Sequence, residues 1–340
     1  VTPSVSEALR VIASRRSLPH ALAEAAFGDL MDGRATEAQK GAMLLGIAAR
    51  GETAEEITGA VAALRARMRR VDSRRSPLLD TCGPGGLGRD LFNVSTAAAV
   101  VAAGAGASVA KHGNRSISSR VGSADVLEAC GVRVSLEPEA AGRVLDEVGL
   151  VFLFAPSFHP AMKELGTVRR DLGVRTIFNA LGPLANPAGA ARQLIGVGRP
   201  ELVRLLADAL AALGTERAIV FHSDAGLDEL VPGIPAAGVE VREGRARPWT
   251  FDPSELPQAA VSVGDLHGGD AAENARSLER LLAGEPGPRR ETVLANVAVA
   301  LVVEGRASSA REGYELARQA IDGGEAGRRF ERLKEASRAA

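Results

Sequence analysis

Two polar, glycine-rich loops, each fed by a short apolar run and about one helix apart, constrain this chain more than any other feature. The first, Gly83-Pro84-Gly85-Gly86, runs on through Asn93, Ser95 and Thr96 into an alanine-rich stretch that starts a helix. The second, Lys111-His112-Gly113-Asn114-Arg115-Ser116, empties from the short strand ASVA. Glycines let a backbone approach a ligand closely, and a helix N-terminus offers unpaired N–H groups to an anion. The lysine, amide and hydroxyls of the second loop add donors for the same sign of charge. One such loop alone reads equally well as a tight turn. Two of them, each after a strand, open at the same edge of a parallel sheet, where ligands of α/β proteins bind. The pair points to a phosphorylated substrate. No Gly-Lys-Ser/Thr follows the glycines, and the spacing of the dinucleotide fingerprint is missing.

The rest of the chain supplies the frame. Residues 4–70 show only helical spacing, with capping boxes at Thr36–Gln39 and Thr53–Glu56 and turns at Gly33 and Gly51. From Pro77 onward, β-branched runs (VFLFA, QLIGV, AIVFH) alternate with helices such as ELVRLLADALAALG. That alternation predicts a mostly parallel sheet with crossover helices. Val239–Phe251 lacks helical periodicity and reads as an antiparallel addition, and residues 271–339 return to helix. The one long irregular stretch, about 156–187, suits a hinge or substrate-facing segment.

Three further segments carry chemistry. His159-Pro160-Ala161-Met162-Lys163 leads through Val168-Arg169-Arg170 to Leu181-Gly182-Pro183-Leu184-Ala185-Asn186-Pro187. An arginine beside proline-fixed turns suits a carboxylate, although a solvated helix end explains it too. Asp228 and Glu229 follow the strand AIVFH and are oxygen ligands of the kind Mg²⁺ takes, or else an acidic turn. Gly268-Gly269-Asp270 through Asn274 reads as a helix start, with Asp270 at the N-cap.

Together these segments resemble the anthranilate phosphoribosyltransferase family over nearly the whole chain. The resemblance rests on NVST, KHGNRSISSRVGSADVLEACGV, HPAM…VRR, LGVRTIFNALGPLANP, GLDEL, GGDAAENA and GPRRETVLANVAVAL. It implies an α/β fold of the nucleoside phosphorylase/phosphoribosyltransferase kind. A small helical domain, residues 1–72 joined by part of 165–190, would precede a larger α/β phosphoribosyl-binding domain, residues 76–340, with a mostly parallel central sheet and flanking helices. It implies transfer of the 5-phosphoribosyl group from phosphoribosyl pyrophosphate to the amine of anthranilate, in tryptophan biosynthesis. Donor and acceptor binding are implied for Gly83, Gly86, Leu91, Asn93, Ser95, Thr96, Lys111, His112, Gly113, Asn114, Arg115, Ser118, Ser119, Ser123, Arg169 and Pro183. Mg²⁺ is implied on Ser95, Asp228 and Glu229. His112 and Arg169 are the implied catalytic pair, the arginine holding the anthranilate carboxylate. A cytoplasmic homodimer formed through the helical domain completes the expectation.

The departures from the family fall in the first loop. The family reads Gly-Thr-Gly-Gly-Asp-Gly there, followed by a further threonine; Pro84 and Leu91 stand at the two threonine positions and Leu87 at the aspartate. Proline removes an N–H, each threonine loss removes a hydroxyl, and Leu87 removes a carboxylate, while Arg89 and Asp90 are new charges. The alternatives are a related transferase acting on another aromatic amine or carboxylate, a pyrimidine nucleoside phosphorylase, and a non-catalytic nucleic-acid-binding relative. Charge speaks against the last: 41 basic and 42 acidic residues give a formal net charge of −1 and no field for nucleic acid or an anionic membrane. Two cysteines, Cys82 and Cys130, are too few for a disulfide framework. The apolar run from Ala97 to Ala110 is too short to span a bilayer, and no signal-peptide pattern opens the sequence.

Overall fold

The computed structural model describes residues 2–85, 90–116, 120–257 and 259–340. Four helices come first: α1 (Pro3–Ala13), α2 (His20–Met31), α3 (Glu37–Arg50) and α4 (Ala54–Arg65). Both expected capping boxes form, Thr36 with Gln39 and Thr53 with Glu56. Glu56 does more than cap. Fully buried, it accepts from Leu18 N–H at 2.9 Å and pairs with Arg50 at 2.6 Å, tying the α1–α2 connection to α4. Two arginines at the basic end of α4 and just beyond it are spent inside the molecule. Arg65 donates twice to the Leu184 carbonyl, at 2.6 and 3.0 Å, and Arg67 pairs with Asp32.

The remainder alternates strand and helix. In order come β1 (Leu79–Asp80), α5 (Val94–Gly104), β2 (Val109–Gly113), α6 (Ser123–Ala129), α7 (Pro138–Val148) and β3 (Leu150–Phe154). The stretch expected to be irregular folds into short helices, α8 (Ala155–Phe158), α9 (Gly166–Leu172) and α10 (Phe178–Leu181), joined by tight 3₁₀ turns. Its many Pro and Gly residues stop each helix within two turns, which hides the periodicity. Then follow β4 (Arg192–Gly196), α11 (Glu201–Ala212), β5 (Arg217–Ser223), β6 (Ala236–Arg242) and β7 (Arg245–Phe251). Four helices finish the chain: α12 (Ala271–Leu282), α13 (Pro288–Glu304), α14 (Ala310–Asp322) and α15 (Glu325–Ala339).

The seven strands run in the order β3-β2-β1-β4-β5-β6-β7, with β1 to β5 parallel and β6 and β7 antiparallel. The β6–β7 hairpin turns on Glu243 and Gly244, both at positive φ as a primed two-residue turn requires. Strand order reverses between β1 and β4, so the crevice at their carboxyl ends is where a ligand belongs in this architecture.

Side-chain alternation divides the core between the two faces of the sheet. Leu194, Ile219 and Phe221 join the cluster under α5, α7 and α12 to α15, whereas Ile195, Ala218 and Val220 join the one under α11. That second cluster continues without a break into α1 to α4 and the segment 165–185, so the helical bundle rests on one face of the sheet. Alanine-rich α5 is buried on nearly every side, and its small residues let it lie close against α13 and α15. No helix among the described residues is long and apolar enough to cross a membrane.

Glu56→Ala should destabilise the chain by about 3 kcal/mol in urea unfolding, because it strands Arg50 and the Leu18 N–H in a buried setting. A change below about 1 kcal/mol would show that water reaches this pair.

Candidate active site

The site grows from the carboxyl end of β1. Asp80 is fully buried there; its Oδ1 accepts N–H bonds from Cys82 (3.0 Å) and His112 (3.2 Å). Its Oδ2 accepts from the Asn186 amide (2.8 Å), which also donates to the Ala110 carbonyl (2.8 Å). Burial pushes the Asp80 carboxyl up to about 6, against the pull of the Lys111 ammonium and these hydrogen bonds. One side chain thus anchors the first loop, the second strand and the 181–187 segment. The same burial pushes the Cys82 thiol up to about 12, which leaves it a packed side chain and no nucleophile.

Lys111 and His112 were expected in a loop, but β2 extends through both, paired with Phe152 and Leu153 of β3. Strand alternation then sends them to opposite faces. Lys111 points to the first loop, with Nζ 3.3 Å from both the Thr81 and Ser95 hydroxyls. His112 points the other way, and its Nδ1 donates to the Gly182 carbonyl at 2.9 Å. That bond puts the proton on Nδ1 and leaves Nε2 an acceptor, buried and without a partner. Burial, with His159 at 5.1 Å between ring centroids, takes the His112 pKa down to about 3 and keeps the ring neutral. His159 falls to about 4, again through burial.

The helix start at Asn93 is held from a distant segment. Asn274, buried on α12, accepts the Asn93 N–H at 3.0 Å and donates to the carbonyls of Gly268 and Asp270. Gly268 lies so close to Leu91 that a Cβ there would overlap the Leu91 carbonyl. Leu91, where the family has threonine, is partly buried against the apolar cluster of Leu227, Val231, Val261 and Leu266. Thr96 donates to the Asn93 side chain at 2.6 Å and is buried behind the cavity wall. It supports the site without facing it.

Asp228 and Glu229 follow β5. Burial holds the Asp228 carboxyl above its usual range; Glu229 is raised well above its own by burial and then by Asp228 beside it. Lys111 and the Ser95 N–H offset only part of this. Two repelling carboxylates in a desolvated cleft, with the Ser95 hydroxyl on the same wall, fit a divalent cation, whose charge would relieve both. A Mg²⁺ held here draws its remaining ligands from substrate phosphates and water.

The opposite wall pairs an arginine with an aromatic ring and a proline turn. Arg169 on α9 lies over the Phe178 ring, 5.6 Å from its centroid, and burial lowers its pKa. Pro183 is fixed by its carbonyl, which accepts from buried Gln193 at 2.5 Å. One cavity of about 510 Å³ joins the two walls, with Ser95, Lys111, Asp228 and Glu229 at one end and His112, Arg169 and Pro183 along the other. Gly83, Leu91, Asn93, Gly113, Asn114 and Ser123 also face it. Arg115 does too, but Asp125 (2.8 Å) and Glu128 (2.5 Å) engage its guanidinium. Gly86, Leu87, Arg89, Ser118 and Ser119 lie outside the described residues.

Comparison with known proteins decides the family. Residues 75–327 match the α/β domain of a glycosyl transferase family, and residues 6–68 match its helical bundle domain. Anthranilate phosphoribosyltransferase of Symbiobacterium thermophilum is 48% identical over 96% of each chain. The chain belongs to the anthranilate phosphoribosyltransferase family. The crystal structure of the Thermus thermophilus enzyme superposes with a TM-score of 0.91 at 40% identity, covering 99% of this chain and 100% of that one. The Saccharomyces cerevisiae enzyme, solved in complex with PRPP and Mg, shares the fold with a TM-score of 0.91 at 24% identity, over 100% of this chain and 99% of that one.

Within this member of the anthranilate phosphoribosyltransferase family, sequence reasoning missed the residues that hold the site from behind: Asp80, Asn186, Asn274 and Gln193. Asn186 and Asn274 lie in segments the sequence singled out, without a role of their own, and Asp80 shows only as a lone charge ending an apolar run. The two neutral histidines carry a pH signature. The unfolded chain protonates each near pH 6.5, whereas the native state waits until about pH 3 to 4. Their contribution to stability is therefore intact above pH 6.5 and is lost as pH falls. In His159→Gln, the rise in unfolding free energy from pH 5 to 6.5 should be shallower than in wild type by up to about 1.4 kcal/mol per pH unit. Equal slopes would mean that the native ring is already charged.

Proposed function

We propose that the chain transfers the 5-phosphoribosyl group of PRPP to the amine of anthranilate, releasing pyrophosphate. The observation that supports this reading is one cavity with Lys111, Ser95, Asp228 and Glu229 at one end and Arg169, His112 and Pro183 at the other, in a chain of this family. In the reaction the amine nitrogen bonds to C1 of the ribose, the C1–oxygen bond breaks, and pyrophosphate leaves with the electron pair. The nitrogen then gives its proton to the departing pyrophosphate, which leaves the neutral secondary amine.

Lys111 and the N–H groups at the start of α5 hold donor phosphates by charge and hydrogen bonding. Mg²⁺ on Ser95, Asp228 and Glu229 would supply positive charge against the leaving pyrophosphate. Arg169 grips the anthranilate carboxylate, its guanidinium lying over the Phe178 ring. His112, neutral throughout the working pH range, accepts a hydrogen bond from the amine at Nε2 and aims the nitrogen lone pair at C1. An aromatic amine needs little activation, so positioning and charge neutralisation carry the rate. Asn114 and Ser123, whose hydroxyl donates to the Asn114 carbonyl at 3.2 Å, shape the second loop around the substrates.

The division into a helical domain, residues 1–72 with part of 165–190, and an α/β domain, residues 76–340, belongs to the same proposal. So does a cytoplasmic homodimer through the helical domain, where Leu45 of α3 leaves a large apolar side chain half exposed.

Anthranilate fluorescence should decay only when both PRPP and Mg²⁺ are present; no decay, with anthranilate still bound in calorimetry, would reject the proposed donor. Arg169→Ala should raise the KM for anthranilate about ten- to hundredfold through loss of a charge-assisted pair, with the KM for PRPP changed less than about threefold. Equal effects on both would remove Arg169 from the acceptor end.

A further inference from the structure

The Asp228–Glu229 loop is gripped from two sides by residues that do not reach the reacting atoms. On one side stands Asn296 of α13, buried at 3% exposure. Its Oδ1 accepts the Leu230 N–H at 3.1 Å, and its Nδ2 donates to the Leu230 carbonyl at 2.9 Å and to the Thr292 carbonyl at 2.8 Å. One amide therefore pairs with both backbone groups of the residue that follows Glu229, and its second donor hydrogen is tied to its own helix. A small cavity of about 80 Å³ brings Asn296 together with Ser95, Asp228 and Glu229.

On the other side β4 ends at Gly196. A Cβ there would overlap the Asp228 carbonyl, and a Cβ on Gly83 would come within 2.6 Å of the Gly196 carbonyl. Three stretches of backbone, the first loop, the end of β4 and the acidic loop, thus stack with no side chain between them. Gly196 does not have a positive φ, so its lack of a side chain serves the spacing and not the backbone conformation.

We propose that Asn296 and Gly196 are positioning residues that hold the Asp228 and Glu229 carboxylates at a fixed distance from the first glycine-rich loop, and so set the affinity of the cation site. The proposal rests on the reading of these carboxylates as that site. Two like charges forced together in a desolvated cleft relax apart unless the backbone beneath them is fixed. The amide pair and the glycine contact fix it from opposite sides. Residues that orient a metal's ligands commonly alter metal affinity ten- to a hundredfold when removed.

The test measures binding without turnover. Mn²⁺ is titrated with inorganic pyrophosphate into the full chain, free Mn²⁺ is read by electron paramagnetic resonance, and folding is followed by urea unfolding. Asn296→Leu and Gly196→Ala should each weaken Mn²⁺ binding by about tenfold, while calorimetric affinity for anthranilate stays within about twofold. Asp228→Asn should abolish Mn²⁺ binding. Folded Asn296→Leu and Gly196→Ala variants with wild-type Mn²⁺ affinity, alongside a defective Asp228→Asn, would overturn the clamp and leave the cation site standing. Wild-type Mn²⁺ binding in Asp228→Asn would overturn the cation reading and the clamp with it. If Asn296→Leu does not fold, Gly196→Ala decides the question, since it leaves the Asn296 side chain itself unchanged.

Discussion

The buried carboxylate of Asp80 is the point on which the two substrate walls are hung. It ends β1 at the place where strand order reverses, and its oxygens take N–H bonds from the first loop, from β2 and from the Asn186 amide. A charge so far from water is tolerated only when fully hydrogen-bonded, so each of these partners is under pressure to stay. The consequence is geometric. The phosphate-facing turn after Thr81 and the acceptor-facing Gly182–Pro183 segment come from residues about a hundred positions apart, yet they are referred to one side chain.

Electrostatics divide the cavity along the same line. Lys111 sits with hydroxyls at one end, near carboxylates whose ionisation burial opposes. At the other end, His112 and His159 form a neutral pair lining the same cavity as Arg169. A uniform site would have to reconcile a highly charged donor with a flat aromatic acceptor. The split lets each end take one kind of substrate, and the helical bundle closes the acceptor side. Lys40, buried on α3, donates to the Glu164 carbonyl (2.8 Å), and Arg65 holds the Leu184 carbonyl, so hydrogen bonds tie the bundle to the 164–184 segment.

Much of the frame was legible from local chemistry. Capping boxes at Thr36 and Thr53 are short-range patterns whose hydrogen bonds form within one turn, and both appear where the residues predict them. The parallel sheet followed from strand–helix alternation, and the antiparallel hairpin from the missing helical period after Val239. The 156–187 stretch was not legible, because Pro and Gly cut its helices too short for a period to show. Leu91 looked like a lost hydroxyl; only the packing of Leu227, Val231 and Leu266 against it explains an apolar residue there. Nothing near the basic end of α4 in sequence announces that Arg65 meets the Leu184 carbonyl.

The sequence by itself determined the residue types of the site and the edge of the sheet on which they gather, because loop chemistry and strand order are local properties. It also carried the family, through ordered segments spread along the whole chain. Tertiary structure alone decided the assignment of neighbours to opposite jobs. Lys111 and His112 are adjacent in the chain, but β2 runs on through both, and the two-residue pleat of a strand turns one to the phosphate end and the other to the acceptor wall. It alone decided as well which buried amides, Asn186, Asn274 and Asn296, hold loops far away in sequence. A buried amide must find partners wherever the fold brings backbone groups within reach, and sequence spacing does not encode that distance.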